Sequence, residues 1–334
     1  MAEAVAPLPL RAAPGSRGRL ICLYKRPGVC DCLPRFMTKE EFKKIFEEKR
    51  QRVEEAIEKY LPSGDTRPAT VHQAMRYSMK VGGKRLRPIL LLASYELLPS
   101  SLDPMPACVA IECMHTYSLI HDDLPCMDNS DLRRGMPTCH KQFDEAMALL
   151  AGDALLTYSL WFLAESYKDS PAVAANLVRD LGEAGGSTRM IGGQVEDVLG
   201  ERGGGMTPEK LNFIHENKTA ALITAAITMG IRLADSSDGE KFALAREIGY
   251  NVGMAFQVID DILDATSDEA TMGKTVRLDA ADGKLTYVNL HGIEGSRKIA
   301  ADFSAKAIEA CKKLTGSDES FLKELILYMQ NRIS

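Results

Sequence analysis

Two groups of aspartates sit within or at the ends of helical segments rich in apolar residues. The second group, Asp260-Asp261-Ile262-Leu263-Asp264, is preceded by Phe256, Val258 and Ile259. Carboxylates desolvated there without a counter-charge would be strongly destabilising. The first group is Asp122-Asp123-Leu124-Pro125-Cys126-Met127-Asp128, with Arg133 and Arg134 close behind it. The chain must fold so that both groups find cations, and this requirement organises everything else in it.

Helical periodicity runs through most of the remaining sequence. Phe42, Ile45, Phe46, Val53, Ile57, Tyr60 and Leu61 form one apolar stripe with charges on the opposite face. Thr38 with Glu41 three residues on is a capping-box pattern at its start. Further helices are expected over 70–80, 89–98, 104–123, 142–168, 171–199, 208–234, 239–265, 295–313 and 318–332. No segment keeps a β alternation. The fold class expected is all-α, a large single-domain helical bundle with a central active-site cavity between facing helices. Helices 104–123 and 239–265 are apolar nearly all round, which predicts central positions.

The spacing of the aspartates has a geometric meaning. Asp260 and Asp264 stand four apart, about 40° apart around a helix, and so share a face. Asp122 and Asp128 stand six apart, which a regular helix would separate by about 120°. Pro125 disfavours helical geometry in the residue before it. The helix is therefore expected to end near Asp123, and an irregular turn can bring Asp128 back towards Asp122. Mg²⁺ takes oxygen ligands and is commonly held by one or two carboxylates plus substrate phosphates. Two carboxylate clusters among basic residues fit a Mg²⁺-diphosphate site.

Candidate phosphate partners lie nearby in sequence. Gly82-Gly83-Lys84-Arg85-Leu86-Arg87-Pro88 sets three cations beside a flexible turn, without P-loop spacing. Arg133-Arg134 follows the first cluster, Gly273-Lys274-Thr275 follows the second, and Lys218-Thr219 lies in another helix. His115 is seven residues before Asp122, on the same helix face. Each is ordinary alone; only the fold can bring them together.

Composition narrows the function class. The 334 residues carry a formal charge of −5, which points to neither nucleic acid nor an anionic membrane. No apolar run approaches the ~20 residues of a bilayer span, so no stable membrane insertion is expected. Eight cysteines without a CxxC pair predict reduced thiols and a cytoplasmic location rather than a zinc site. Residues 1–36 hold six Lys or Arg, two acids and five prolines, with no apolar periodicity. They read as a disordered or mis-annotated extension, with organelle targeting the weaker alternative. Residues 37–334 read as the helical domain.

Taken together, GGKRLRP, HDDLPCMDNSDLRRG, LAGDALL, GGQ and FQVIDDILD resemble the trans-isoprenyl diphosphate synthases, in order and spacing, over essentially all of 38–334. CMHTYSLIHDDLP and RRGMPTCHKQFDEA are similar to the bacterial farnesyl branch. The resemblance implies that Asp122, Asp123 and Asp128 bind Mg²⁺ from one wall, and Asp260, Asp261 and Asp264 from the other. It implies that Arg133, Lys218 and Lys274 neutralise an allylic diphosphate. Lys84, Arg87, His115 and Arg134 would hold isopentenyl diphosphate, and Thr219 and Gln257 would border the reacting carbons. Tyr117 and Ser118 would limit product length, giving farnesyl diphosphate from a homodimer. A geranylgeranyl diphosphate synthase and a non-catalytic partner subunit are the alternatives.

Overall fold

The computed structural model describes residues 37–203, 205, 207–235, 238–266, 285–315 and 320–331. Lys274 lies outside the described residues, as does the extension 1–36. Helix α1 (Lys39–Tyr60) opens with the expected capping box. The Thr38 hydroxyl accepts from the Glu41 amide at 3.2 Å, and the Glu41 carboxylate accepts from the Thr38 amide at 2.9 Å. Such a cap stabilises a helix by roughly 1 kcal/mol. Next come α2 (Ala69–Lys80), α3 (Leu86–Tyr95) and α4 (Met105–Asp122). A two-residue hairpin, β1 (Leu132–Arg133) against β2 (Met136–Pro137), leads into α5 (Cys139–Gln142) and α6 (Glu145–Ser166).

Residues 171–199, expected as one helix, form two: α7 (Pro171–Gly185) and α8 (Met190–Glu201). Gly185-Gly186-Ser187 interrupts the ladder, because glycine lowers helical propensity and leaves the turn free. Helix α9 (Pro208–Ile214) widens into a π-helical turn over His215–Ala220 and continues as α10 (Ala221–Ala234). Helix α11 is Gly239–Thr266, and α12 (Tyr287–Thr315) is interrupted at Gly292, whose φ is 70°. Helix α13 (Phe321–Gln330) ends the described chain.

The architecture is the helical bundle expected. Helix α4 packs against α6, α3 and α1, while α10 packs against α3, α11 and α7. Cys108, Val109, Ile111 and Met114 of α4 are all fully buried within one chain. The apolar girth of α4 is thus absorbed by its own subunit and needs no second copy. A smaller core of Val258, Ile259, Ile262, Leu211 and Tyr287 packs beneath the second aspartate group.

One sequence expectation needs correction. Helix α6, at 22 residues, is by length and composition apolar enough to cross a bilayer. One side of it lies against α2, α4 and α7. The other side leaves Leu149, Leu150 and Trp161 exposed.

Candidate active site

Helix α4 ends at Asp122, as Pro125 dictates. The following loop turns back on itself: the Asp128 amide donates to the Asp122 carbonyl at 2.9 Å, and the Ser130 amide to the Asp123 carbonyl at 3.2 Å. The turn therefore returns Asp128 to Asp122. Burial pushes the Asp122 carboxyl up to about 6, against the pull of Lys218, with Asp128 adding to the rise. A carboxylate so placed favours a nearby cation.

Asp123 has a different environment from Asp122. It is buried, and Arg133 grips it bidentately, Nε to Oδ2 at 2.7 Å and Nη2 to Oδ1 at 2.6 Å. The hairpin folds Arg133 back across the end of α4. These two residues, expected on a metal and a diphosphate respectively, are paired with each other. Among the described residues, no three acidic, histidine or cysteine side chains form a closed metal-binding group.

On α11, Asp261 is turned away from Asp260 and buried. Its Oδ2 accepts from the Tyr287 amide at 2.9 Å, and its Oδ1 from Gln257 Nε2 at 3.3 Å. Asp260 and Asp264 are both half-buried. The charge of Asp260 reaches Arg87, across from α11. Thr219 Oγ1 donates to Gln257 Oε1 at 2.8 Å, so these two expected neighbours meet. They line a cavity of about 90 Å³ with Asp197, His215, Lys218, Asp261 and Thr286.

Lys218 and Thr219 both lie on the π turn, a conformation that recurs at functional sites. Lys218 Nζ donates to Asp197 Oδ2 at 2.6 Å, and Asp197 is buried on α8. Asp197 was not among the sequence candidates. The signal was present, since it is one of two adjacent acids, Glu196 and Asp197, that closely follow the glutamine of GGQ. The glycine before that glutamine has a specific reason: a Cβ on Gly193 would lie 2.3 Å from the Lys218 amide nitrogen and 2.8 Å from its Cα. Gly193→Ala should therefore push the π turn outward. Overpacking of this kind costs about 1–3 kcal/mol. The variant is expected to lower both the denaturant midpoint and kcat; unchanged values for both would refute the close-approach argument.

A cationic pocket faces the aspartates. Arg87 Nη1 lies 3.2 Å from His115 Nε2, and Arg87 Nε is buried without a protein partner. Burial, opposed by Glu112 and Asp260, brings Arg87 down to about 10. Burial and four surrounding guanidiniums, those of Arg87, Arg134, Arg133 and Arg85, hold His115 well below the usual histidine range, hence neutral. Arg134 adopts a left-handed φ of 54°, and its guanidinium lies against Gly83, where a Cβ would be 2.2 Å from Nη1. GGKRLRP and RRG are thus brought into contact. The cleft between them is lined by Gly82, His115, Asp123, Arg133 and Arg134. Lys84 is exposed. Repulsion among these cations would be relieved by a bound polyanion.

Tyr117 is 4% exposed, and its hydroxyl has no partner. Its ring meets His121 edge-on at 5.7 Å, and burial pushes its hydroxyl up to about 12. Ser118 Oγ donates to the His115 carbonyl at 2.9 Å.

Comparison with known proteins agrees with this geometry. The polyprenyl synthetase family profile matches residues 68–325. The chain belongs to the polyprenyl synthetase family. It is 44% identical over 266 residues to geranylgeranyl pyrophosphate synthase 7, chloroplastic, of Arabidopsis thaliana, covering 78% of this chain and 74% of that protein. Among solved structures it resembles a putative farnesyl-diphosphate synthase from Marinomonas sp. MED121, with a TM-score of 0.74, 35% identity and coverage of 88% and 99% of the two chains. It is also similar to the Helicobacter pylori geranyltransferase complexed with magnesium and isoprenyl diphosphate. That match has a TM-score of 0.75 and 35% identity, and covers 87% of this chain and 96% of that one. The family is Mg²⁺-dependent in general, and membership makes this chain a trans-prenyl diphosphate synthase.

Proposed function

We propose that this synthase condenses isopentenyl diphosphate head-to-tail with dimethylallyl and then geranyl diphosphate, releasing farnesyl diphosphate. The observation that carries the diphosphate assignment is the pocket of guanidiniums around neutral His115, set opposite the aspartates. Lys84, Arg87, His115 and Arg134 hold isopentenyl diphosphate there. Asp122, Asp128, Asp260 and Asp264 would hold Mg²⁺, which when bound neutralises the charge of a diphosphate leaving group. Asp123 and Asp261 act behind them. Asp123 aims Arg133 at the allylic diphosphate, and Asp261 ties α11 to the start of α12 through the Tyr287 amide. Lys218, oriented by Asp197, donates to the same diphosphate, joined by Lys274.

These donors stabilise the charge that develops as the allylic C–O bond breaks. The isopentenyl alkene attacks the resulting allylic cation, a new C–C bond forms, and the adjacent carbon gives up a proton to the released diphosphate. Thr219 and Gln257 border this step. The apolar faces of α4 and α10 keep water from the cation.

Product length rests on Tyr117, a rigid ring one to two turns below Asp122. A buried hydroxyl with no acceptor suits a ring that closes a tunnel rather than one built into a hydrogen-bonded core. The second reading is a C20 product, favoured by the geranylgeranyl name of the 44% identical Arabidopsis relative. Incubating the purified protein with labelled isopentenyl and dimethylallyl diphosphates, then sizing the products, separates the two. Mainly C20 material would replace the farnesyl assignment, and no condensation at all would favour a non-catalytic subunit.

We also propose a homodimer working in a reducing, cytoplasmic environment. Cys108, Cys113, Cys126, Cys139 and Cys311 are free thiols. Exposed Ile191, Val195 and Leu199 recur every four residues along α8, and α6 adds Leu149, Leu150 and Trp161. Apolar surface of this extent commonly marks an interface. Light scattering at micromolar concentration is expected to return twice the 36.6 kDa chain mass; a monomer mass would count against the dimer.

A further inference from the structure

The GGKRLRP segment carries three cations, and the middle one faces inward. Lys84 is exposed and Arg87 half-buried, but Arg85 is 3% exposed. Its Nε and Nη2 donate to the two oxygens of Glu54 at 2.9 and 3.1 Å, and its Nη1 to Glu112 Oε1 at 2.9 Å. Nη2 also donates to the Met79 carbonyl. Glu54 is on α1, Met79 on α2 and Glu112 on α4, so one side chain ties three helices to the loop.

The backbone of Arg85 is in the left-handed region, with φ 49° and ψ 39°, immediately before α3. That conformation is disfavoured for a residue with a Cβ and persists only where the surroundings hold it. The surroundings here are the two carboxylates. Glu112 lies three residues before His115 on α4, and Arg85 lies two before Arg87. The Arg85–Glu112 pair and the Arg87–His115 contact at 3.2 Å are therefore two neighbouring rungs between the start of α3 and one face of α4. If Arg85 loses its fork to Glu112 and Glu54, the left-handed turn loses its carboxylate anchors and the second rung shifts.

We propose that Arg85 is a positioning residue for the isopentenyl diphosphate site, its buried pairing with Glu112 and Glu54 fixing the turn that places Arg87 beside His115. This rests on the functional reading above. A planar guanidinium can serve two carboxylates and a carbonyl at once, whereas the compact ammonium of lysine lacks that fixed fork.

The test is steady-state kinetics of full-length Arg85→Lys and of the double variant Arg85→Met/Glu112→Gln, which removes both buried charges together. Both are expected to raise KM for isopentenyl diphosphate about tenfold, with kcat and the KM for dimethylallyl diphosphate changed by no more than about twofold. The lysine variant keeps the charge and supplies the same reading if the double variant does not fold by circular dichroism. An unchanged isopentenyl KM in folded Arg85→Lys overturns the proposal. A parallel rise in both KM values also overturns it, because that is what general loosening of the fold would produce. A wild-type protein that condenses nothing would instead defeat the functional reading on which the proposal stands.

Discussion

Asp122→Ala and Asp260→Ala are each expected to slow condensation by at least about 10²-fold, the scale of losing one preorganised charge-stabilising group. The loss should be one of chemistry and not of folding. The Asp122 carboxyl lies at about 6 in the folded protein, mainly through burial, and an unfolded aspartate titrates near ~3.9. A raised acid pKa means the fold binds this proton more tightly than the unfolded chain does. Its contribution to stability is therefore present at low pH and lost as pH rises from about 4 to 6. In metal-free protein at neutral pH, Asp122→Ala should melt at or above the wild-type temperature while turning over far more slowly. EDTA should abolish wild-type turnover, and added Mg²⁺ should restore it. Normal condensation by metal-free enzyme, or a rate loss that simply follows unfolding of the variants, would defeat the two-walled site.

Tyr117→Ala is expected to shift the product from C15 to C20 or longer, with the metal site intact. The growing chain must run from the Asp122 end of α4 into apolar space between helices. Tyr117 lies five residues back, about 7.5 Å along the helix. Ideal helical geometry turns it about 140° from Asp122, so spacing alone does not aim it at the tunnel. The case rests on its surroundings: a 4% exposed ring, an orphan hydroxyl and edge contact with His121. A close-packed interior resists overlap between this ring and another isoprene unit. Alanine would remove most of the ring volume and leave Ser118 bonded to the His115 carbonyl as before. Product sizing with matched substrate ratios checks it. An unchanged distribution, or mainly C20 from the wild type, would move the stop elsewhere.

The sequence by itself determined the helical class, the ends of most helices and the two aspartate groups. Those are local properties. A capping box at Thr38 acts over three residues, Pro125 acts on its neighbour, and apolar periodicity is read within one helix. It also predicted the return of Asp128 to Asp122, because a proline-broken turn allows that closure. The tertiary structure alone decided which charges pair. Asp122 and Asp123 are adjacent in sequence, yet one lies near Lys218 and Asp128 while the other is bound by Arg133. Arg85 and Arg87 are two residues apart, yet one is held by Glu54 and Glu112 while the other has a buried Nε without a partner. Asp197 came to light only through Lys218, and Gly193 only through the π turn against it. Charge strength falls with distance and rises with burial, and both are set by helices far apart in the chain, so no local pattern encodes them.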